Sequence, residues 1–257
     1  MITRQAIVRR VRNALGLKPD FRLDPRLASM EHVFLAPPLT PELAAAIRLI
    51  SPQFPVSPTE QHRIFWETDQ NGACWGEYEA LAPLFQALPT PTRILEIGPG
   101  LGRSLVFFSK KLHWQNAELH AYDGDGTRTR YTIEGPRFTD SFCGNLAQLQ
   151  HVLTFNGVTN ATLFDAHSTA LTALPGPYDL VYSFYSIGFH WALEHFLADL
   201  LPLLGPRSIA IFTVPQSFHP PPALEPLACR LIDWKPAWPP EAHLKMLVLA
   251  KAALPEF

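Results

Sequence analysis

Cysteine is scarce: Cys74, Cys143 and Cys229 are the only three in 257 residues, and they lie far apart. Such spacing forms neither a metal-type cluster nor an even set of disulfides, so a reducing, cytoplasmic setting is expected. No apolar run reaches the ~18–20 residues of a membrane-spanning helix. Charge is sparse and nearly balanced, with 21 Lys and Arg against 23 Asp and Glu, a net charge of −2 and a pI near 6.5. No charge field therefore recommends nucleic acid or an anionic membrane as the main partner. The length still suffices for one large α/β domain with a buried core.

Proline is plentiful, with 26 residues, and it punctuates the first third of the chain. Residues 1–19 carry arginines and a lysine but no acid, and Ile7, Val11, Ala14 and Leu15 fall on one helical face. A transit peptide would look similar; a basic helix docked on the remainder of the protein is the plainer expectation. Helices are predicted for Pro41 to Ile50, capped by Thr40, and for roughly Thr59 to Leu88. Residues 1–90 thus read as a helical cap or substrate lid, and residues 91–257 as a second unit.

From Pro91 onward short apolar runs alternate with helical stretches. Strands are predicted at Arg93–Ile97, Glu118–Tyr122, Ala161–Phe164, Asp179–Phe184, Ser208–Val214 and Lys245–Ala250, with helices at Arg103–Leu112 and Gly144–Asn156. This alternation predicts an α/β fold with a mostly parallel sheet and helices on both faces. Ligands of such sheets bind at the carboxyl ends of the strands.

The first strand runs into Glu96-Ile-Gly98-Pro-Gly100-Leu-Gly102. Gly98 suits a tight turn, while Gly100 and Gly102 let a ligand and the next helix approach the backbone. A nicotinamide fingerprint, G-x-G-x-x-G/A, would need Gly or Ala where Arg103 stands, and no Tyr-x-x-x-Lys pair supports that reading. The spacing instead resembles motif I of the class I S-adenosylmethionine (SAM)-dependent methyltransferases. Tyr122-Asp123 ends the second strand, Asp165-Ala166 the third, and Tyr178-Asp179 opens the fourth, in the order of that family.

The resemblance spans about Thr92 to Ala252. It implies a seven-stranded, Rossmann-like sheet with Cys229–Trp234 as the sixth strand and an antiparallel last strand at Lys245–Ala250. It implies SAM as cofactor and S-adenosylhomocysteine (SAH) as product. The cofactor contacts it implies are Glu96, Gly98, Gly100, Gly102, Asp123 with Gly124 on the ribose, Asp165 with Ala166 on the adenine, and Ser183. Asp123-Gly124-Asp125-Gly126 is equally ordinary turn chemistry, and a helix cap is the alternative role for Asp165.

Ser183 to Trp191 leaves the fourth strand where the family's methyl acceptor meets the sulfonium, and it ends in a sequence similar to an apolar-(His/Gln)-Trp signature of small-molecule methyltransferases. His190 is the expected catalytic group, with His195 as the second choice. Tyr185, Trp191, Trp75 and Tyr78 are the expected walls of the acceptor pocket. The long segment Gly124–Ser141, with Arg128, Arg130, Tyr131 and Arg137, is either a polar lid or a solvated loop. No acidic residue just after strand four supports a metal-dependent, catechol-type site, and the Asn-Pro-Pro-Tyr motif of base and protein methylation is absent. The expected activity is metal-independent methyl transfer to a small molecule at a hydroxyl or carboxylate oxygen, as in natural-product biosynthesis. A homodimer stays open, and the competing class is a SAM-fold binding or scaffold protein without methyl transfer.

Overall fold

The computed structural model describes residues 33, 35–50, 57–63, 65–66, 71–124, 145–188, 191–234 and 244–256. The predicted basic helix of residues 1–19 and nearly all of the segment Gly124–Ser141 lie outside the described residues, as do Cys143 and His190.

Among the described residues three α-helices precede the sheet: α1 (Pro41–Ile50), α2 (Pro58–Arg63) and α3 (Asn71–Ala87). The Thr40 hydroxyl accepts from the Leu43 amide, so α1 starts with the expected cap and Pro41 in its first turn. Of the stretch predicted as one helix over 59–88, the described residues comprise α2, a π-helical turn at Phe65–Trp66 and α3; Phe65 and Trp66 are each 1% exposed and belong to the core.

Seven strands then form one sheet in the order β3-β2-β1-β4-β5-β7-β6. They are β1 (Arg93–Ile97), β2 (Glu118–Asp123), β3 (Ala161–Asp165), β4 (Tyr178–Ser183), β5 (Leu204–Pro215), β6 (Ala228–Trp234) and β7 (Leu244–Ala250). Pairing is parallel from β3 through β5, and β7 runs antiparallel to both β5 and β6. β1 is central and covered on both sides, which explains its nearly continuous apolar sequence. Asp179, at the start of β4, accepts from the Thr92 amide and hydroxyl and from the Arg93 amide. These bonds hold its carboxylate below the usual pKa range against the cost of burial, and they fix the mouth of β1.

The two faces are covered differently. On one, α1, α3, α4 (Arg103–Lys111) and α5 (Leu146–Phe155) bury Leu43, Leu81, Leu105, Phe108 and Leu149 against Ile94, Leu180 and Ile211. The N-terminal helices therefore share the core of the sheet rather than forming a core of their own. On the other face, Leu95, Val181 and Phe212 are covered by Leu171, Leu193, Leu197 and Leu203. Those residues sit in one short α-helix, Leu197–Leu200, and in the 3-10 helical turns Leu171–Ala173, Leu193–His195 and Leu201–Leu203. Helices thus cover both faces, as expected, with only short ones on this face among the described residues. The link from β3 to β4 is short and ends in Pro175-Gly176-Pro177, which cannot continue a helix.

Candidate active site at the carboxyl ends of the strands

All three loop glycines have positive φ, +70° at Gly98, +58° at Gly100 and +77° at Gly102, but their surroundings differ. A Cβ on Gly98 would collide with the side chain of Ser186, which the segment after β4 lays over the turn. At Gly102 it would stand 2.6 Å from Leu149 Cδ1 and 3.3 Å from Leu153 Cδ2, so this glycine lets α5 approach α4. At Gly100 an added Cβ would meet no atom of the described residues within 4 Å. Two glycines are therefore demanded by the protein's own packing, and one faces open space. Gly102→Ala should destabilise the fold by about 1–3 kcal/mol through overpacking, read as a lowered midpoint in urea or thermal unfolding.

Asp123, at the end of β2, stands beside that open space. Its Oδ2 accepts from the Gly100 amide at 2.9 Å and its Oδ1 from the Gly124 amide at 2.8 Å. The neighbouring strand ends in register, with Asp165 opposite Asp123. Asp165 Oδ1 accepts from the His167 amide at 2.9 Å, and the Asp165 carbonyl accepts from Thr169. The Ala166 amide donates to the Asp123 carbonyl at 2.8 Å, a bond that continues the β2–β3 ladder. A Cβ on Gly124 would stand 3.1 Å from His167 Nε2, which puts an exposed imidazole next to Asp123 that sequence reading did not single out.

Two of the expected cofactor contacts, Glu96 and Ser183, are buried and hydrogen-bonded within the protein. Glu96 is 1% exposed, its Oε1 accepts from the Ser104 hydroxyl and its Oε2 from Tyr182 at 3.1 Å. Burial raises its pKa to about 7, opposed by the bonds from Ser104 and Tyr182. Ser183 is fully buried; its hydroxyl donates to the Ile97 carbonyl at 2.8 Å and accepts from the Ile187 amide at 3.0 Å. Both residues brace the loops because strand alternation turns them into the cores, away from the carboxyl edge.

The acceptor-side residues divide similarly. Tyr185 follows β4 with φ +64°, a conformation costly for a bulky side chain, and its ring lies 5.9 Å from that of Trp234. Trp191 donates its amide to the Ser186 carbonyl and packs its ring on Phe196. Trp75 and Tyr78, expected at the pocket, pack on α4 instead: Trp75 meets Phe107 at 5.3 Å, and Lys111 Nζ stands 4.6 Å over its ring. His195 is exposed on its helical turn.

Sequence reading missed the pair that joins these parts. Glu77 of α3, fully buried, receives Arg103 Nη1 at 3.0 Å and Nη2 at 2.5 Å. A signal was present: Cys74, Glu77, Leu81 and Leu84 recur at the spacing of a buried stripe, and all four are 0% exposed. An acid on such a stripe calls for a buried cation. Among the described residues no group of three or more His, Cys, Asp or Glu side chains could hold a metal ion, and no helix is long and apolar enough to cross a membrane.

No family model and no curated protein matches the sequence. Solved structures resemble it in part. TrmN from Thermus thermophilus is 16% identical over 68% of this chain and 48% of its own, with a TM-score of 0.45. The chain spans about half the length of that protein. A SAM-dependent methyltransferase from Aquifex aeolicus is 13% identical over 80% and 97% of the two chains, with a TM-score of 0.47. The plantazolicin methyltransferase BpumL, solved with a substrate analogue and SAH, is 17% identical over 68% and 53%, with a TM-score of 0.38. The fold itself stands on the strand order, the single reversed strand β7 and the glycine turn after the central strand β1. Together these give the chain the class I, Rossmann-like methyltransferase fold.

Proposed function

We propose that this chain is a SAM-dependent methyltransferase that binds its cofactor across Gly98–Gly102 and acts on a small-molecule oxygen. The observation that carries the reading is the open space at Gly100 beside the Asp123 carboxylate, which that same residue's amide holds in place. Such an arrangement suits a ligand with a diol next to a chain that must pass close over the backbone. An anionic carboxylate accepts two hydrogen bonds from a cis-diol more strongly than a neutral side chain would. Asp165, one strand further out, is assigned to the adenine amine.

When bound, SAM supplies an electrophilic methyl group on a sulfonium. The chain's task is then alignment, and well-oriented reactants reach effective molarities of ~10⁵–10⁸ M. Ser186 over Gly98 and the Ser183 bonds to Ile97 and Ile187 hold the segment after β4 against the loop. For a hydroxyl acceptor, His190 is assigned to take its proton; for a carboxylate it orients the oxygens. Tyr185 and Trp191 are assigned to the acceptor side.

Losing one charge-assisted hydrogen bond costs about 1.5–3 kcal/mol, so Asp123→Ala should weaken SAM roughly 10- to 150-fold. Calorimetry of wild type and variant with SAM, SAH and NADH tests the cofactor. Binding of NADH rather than SAM, or equal SAM affinity in the variant, would remove the assignment. A screen of hydroxyl and carboxyl acceptors with methyl-labelled SAM then separates an enzyme from a binding protein.

A further inference from the structure

Arg103 is the first residue of α4, where a cation opposes the helix dipole, and the first turn holds no acid to offset it. The missing acid comes from another element. Glu77 of α3 grips the guanidinium through both oxygens, at 3.0 and 2.5 Å, and Arg103 Nη1 also donates to Cys74 Sγ at 3.3 Å. The Arg103 Cζ lies 5.2 Å over the ring of Tyr185, the residue at φ +64° beside Ser186. Carried on the residue that follows the glycine loop, this guanidinium thus joins α3 to the segment after β4.

A buried ion pair of this kind is a poor source of stability, because desolvation offsets much of the attraction and apolar replacements are often neutral or stabilising. Its directional fork, however, fixes a planar geometry that an apolar contact would not. We infer that Glu77 and Arg103 are positioning residues: the pair sets the glycine loop and the Tyr185–Ser186 segment in the arrangement that leaves Gly100 open. Cys74 and Tyr185 complete the contacts of the guanidinium. In its effect on affinity the inference rests on the cofactor reading above; in its effect on the loops it does not.

The test uses the full chain with Glu77→Met and Arg103→Met combined, so that no buried charge is left alone, and Arg103→Lys, which keeps the charge and loses the fork. Amide hydrogen exchange is followed in the free proteins, and SAH binding by calorimetry. Expected in the double variant are at least tenfold faster exchange at Gly98–Gly102 and at 184–188, with β5 and β7 unchanged, and an SAH Kd raised at least tenfold. Arg103→Lys should show the same pattern at a smaller size. Wild-type exchange at both segments in the folded double variant would overturn the inference; should that variant not fold, wild-type exchange in Arg103→Lys would do so. Wild-type protein that fails to bind SAH would sink the cofactor reading, while the exchange data still decide the positioning.

Discussion

Gly100→Val should lose at least 100-fold in affinity for SAM and SAH, about 3 kcal/mol, while the fold persists. A Cβ at this position meets no atom of the described residues within 4 Å, so the core packing seen in the structure does not oppose it. The left-handed φ of +58° adds a local cost of about 1–2 kcal/mol, which a domain of this size can absorb. What the branched side chain fills is the space next to the Asp123 carboxylate, where a ligand has to pass the backbone. Calorimetry with SAH measures the loss, and circular dichroism with thermal unfolding verifies that the fold is retained. Full affinity in the folded variant would mean that the glycine turn serves packing alone.

The second large effect concerns pH. Glu96 is buried and its carboxyl titrates near 7 in the folded protein, against 4.5 for an ordinary glutamate. Between those values the folded chain holds a proton that the unfolded chain releases, so the sign is fixed. The contribution of this group is fully present below 4.5 and is lost as pH rises through 7. At about 1.4 kcal/mol per pKa unit the loss is on the order of 3–4 kcal/mol. His120 works in the opposite sense, because burial lowers its pKa and stability falls as pH drops below 6.5. The comparison therefore needs Glu96→Gln, which stays neutral and can still accept a bond from Ser104. Urea unfolding from pH 5 to 8 should show the variant gaining on wild type as pH rises. A constant difference across that range would show that Glu96 ionises normally.

Much of the architecture could be read from the chain. The apolar runs of β1, β2, β3, β4 and β7 lie within a residue or so of their observed limits; β1, β4 and β7, buried along nearly their whole length, leave an almost unbroken apolar signature. The glycine spacing located the candidate site, but not the division of labour among Gly98, Gly100 and Gly102. That division depends on Ser186 and on Leu149 and Leu153, which are remote in sequence. The burial of Glu96 and Ser183 was not legible for a related reason: a motif fixes a residue's place along a strand, while burial depends on what the neighbouring elements bring against it. Trp75 and Tyr78 were assigned to a pocket because aromatic rings before the glycine turn fit one. Lys111 and Phe107, a whole strand and turn later, supply the surface they cover. The Glu77–Arg103 pair was hidden because neither residue implies the other until α3 lies on α4.

The position of β7 between β5 and β6 has a consequence for synthesis on the ribosome. β6 is translated before the strand that binds it, and β5 before the strand that covers its outer edge. Until Leu244–Ala250 has emerged, the β5 edge near Thr213 is a row of unpaired backbone groups, and β6 has no ladder to join. At about 5–20 residues per second, the stretch from the end of β6 through β7 keeps the nascent chain in that state for roughly one to three seconds. During that interval the half of the sheet from β3 to β5 can assemble around β1, leaving β7 to close two edges in a single step.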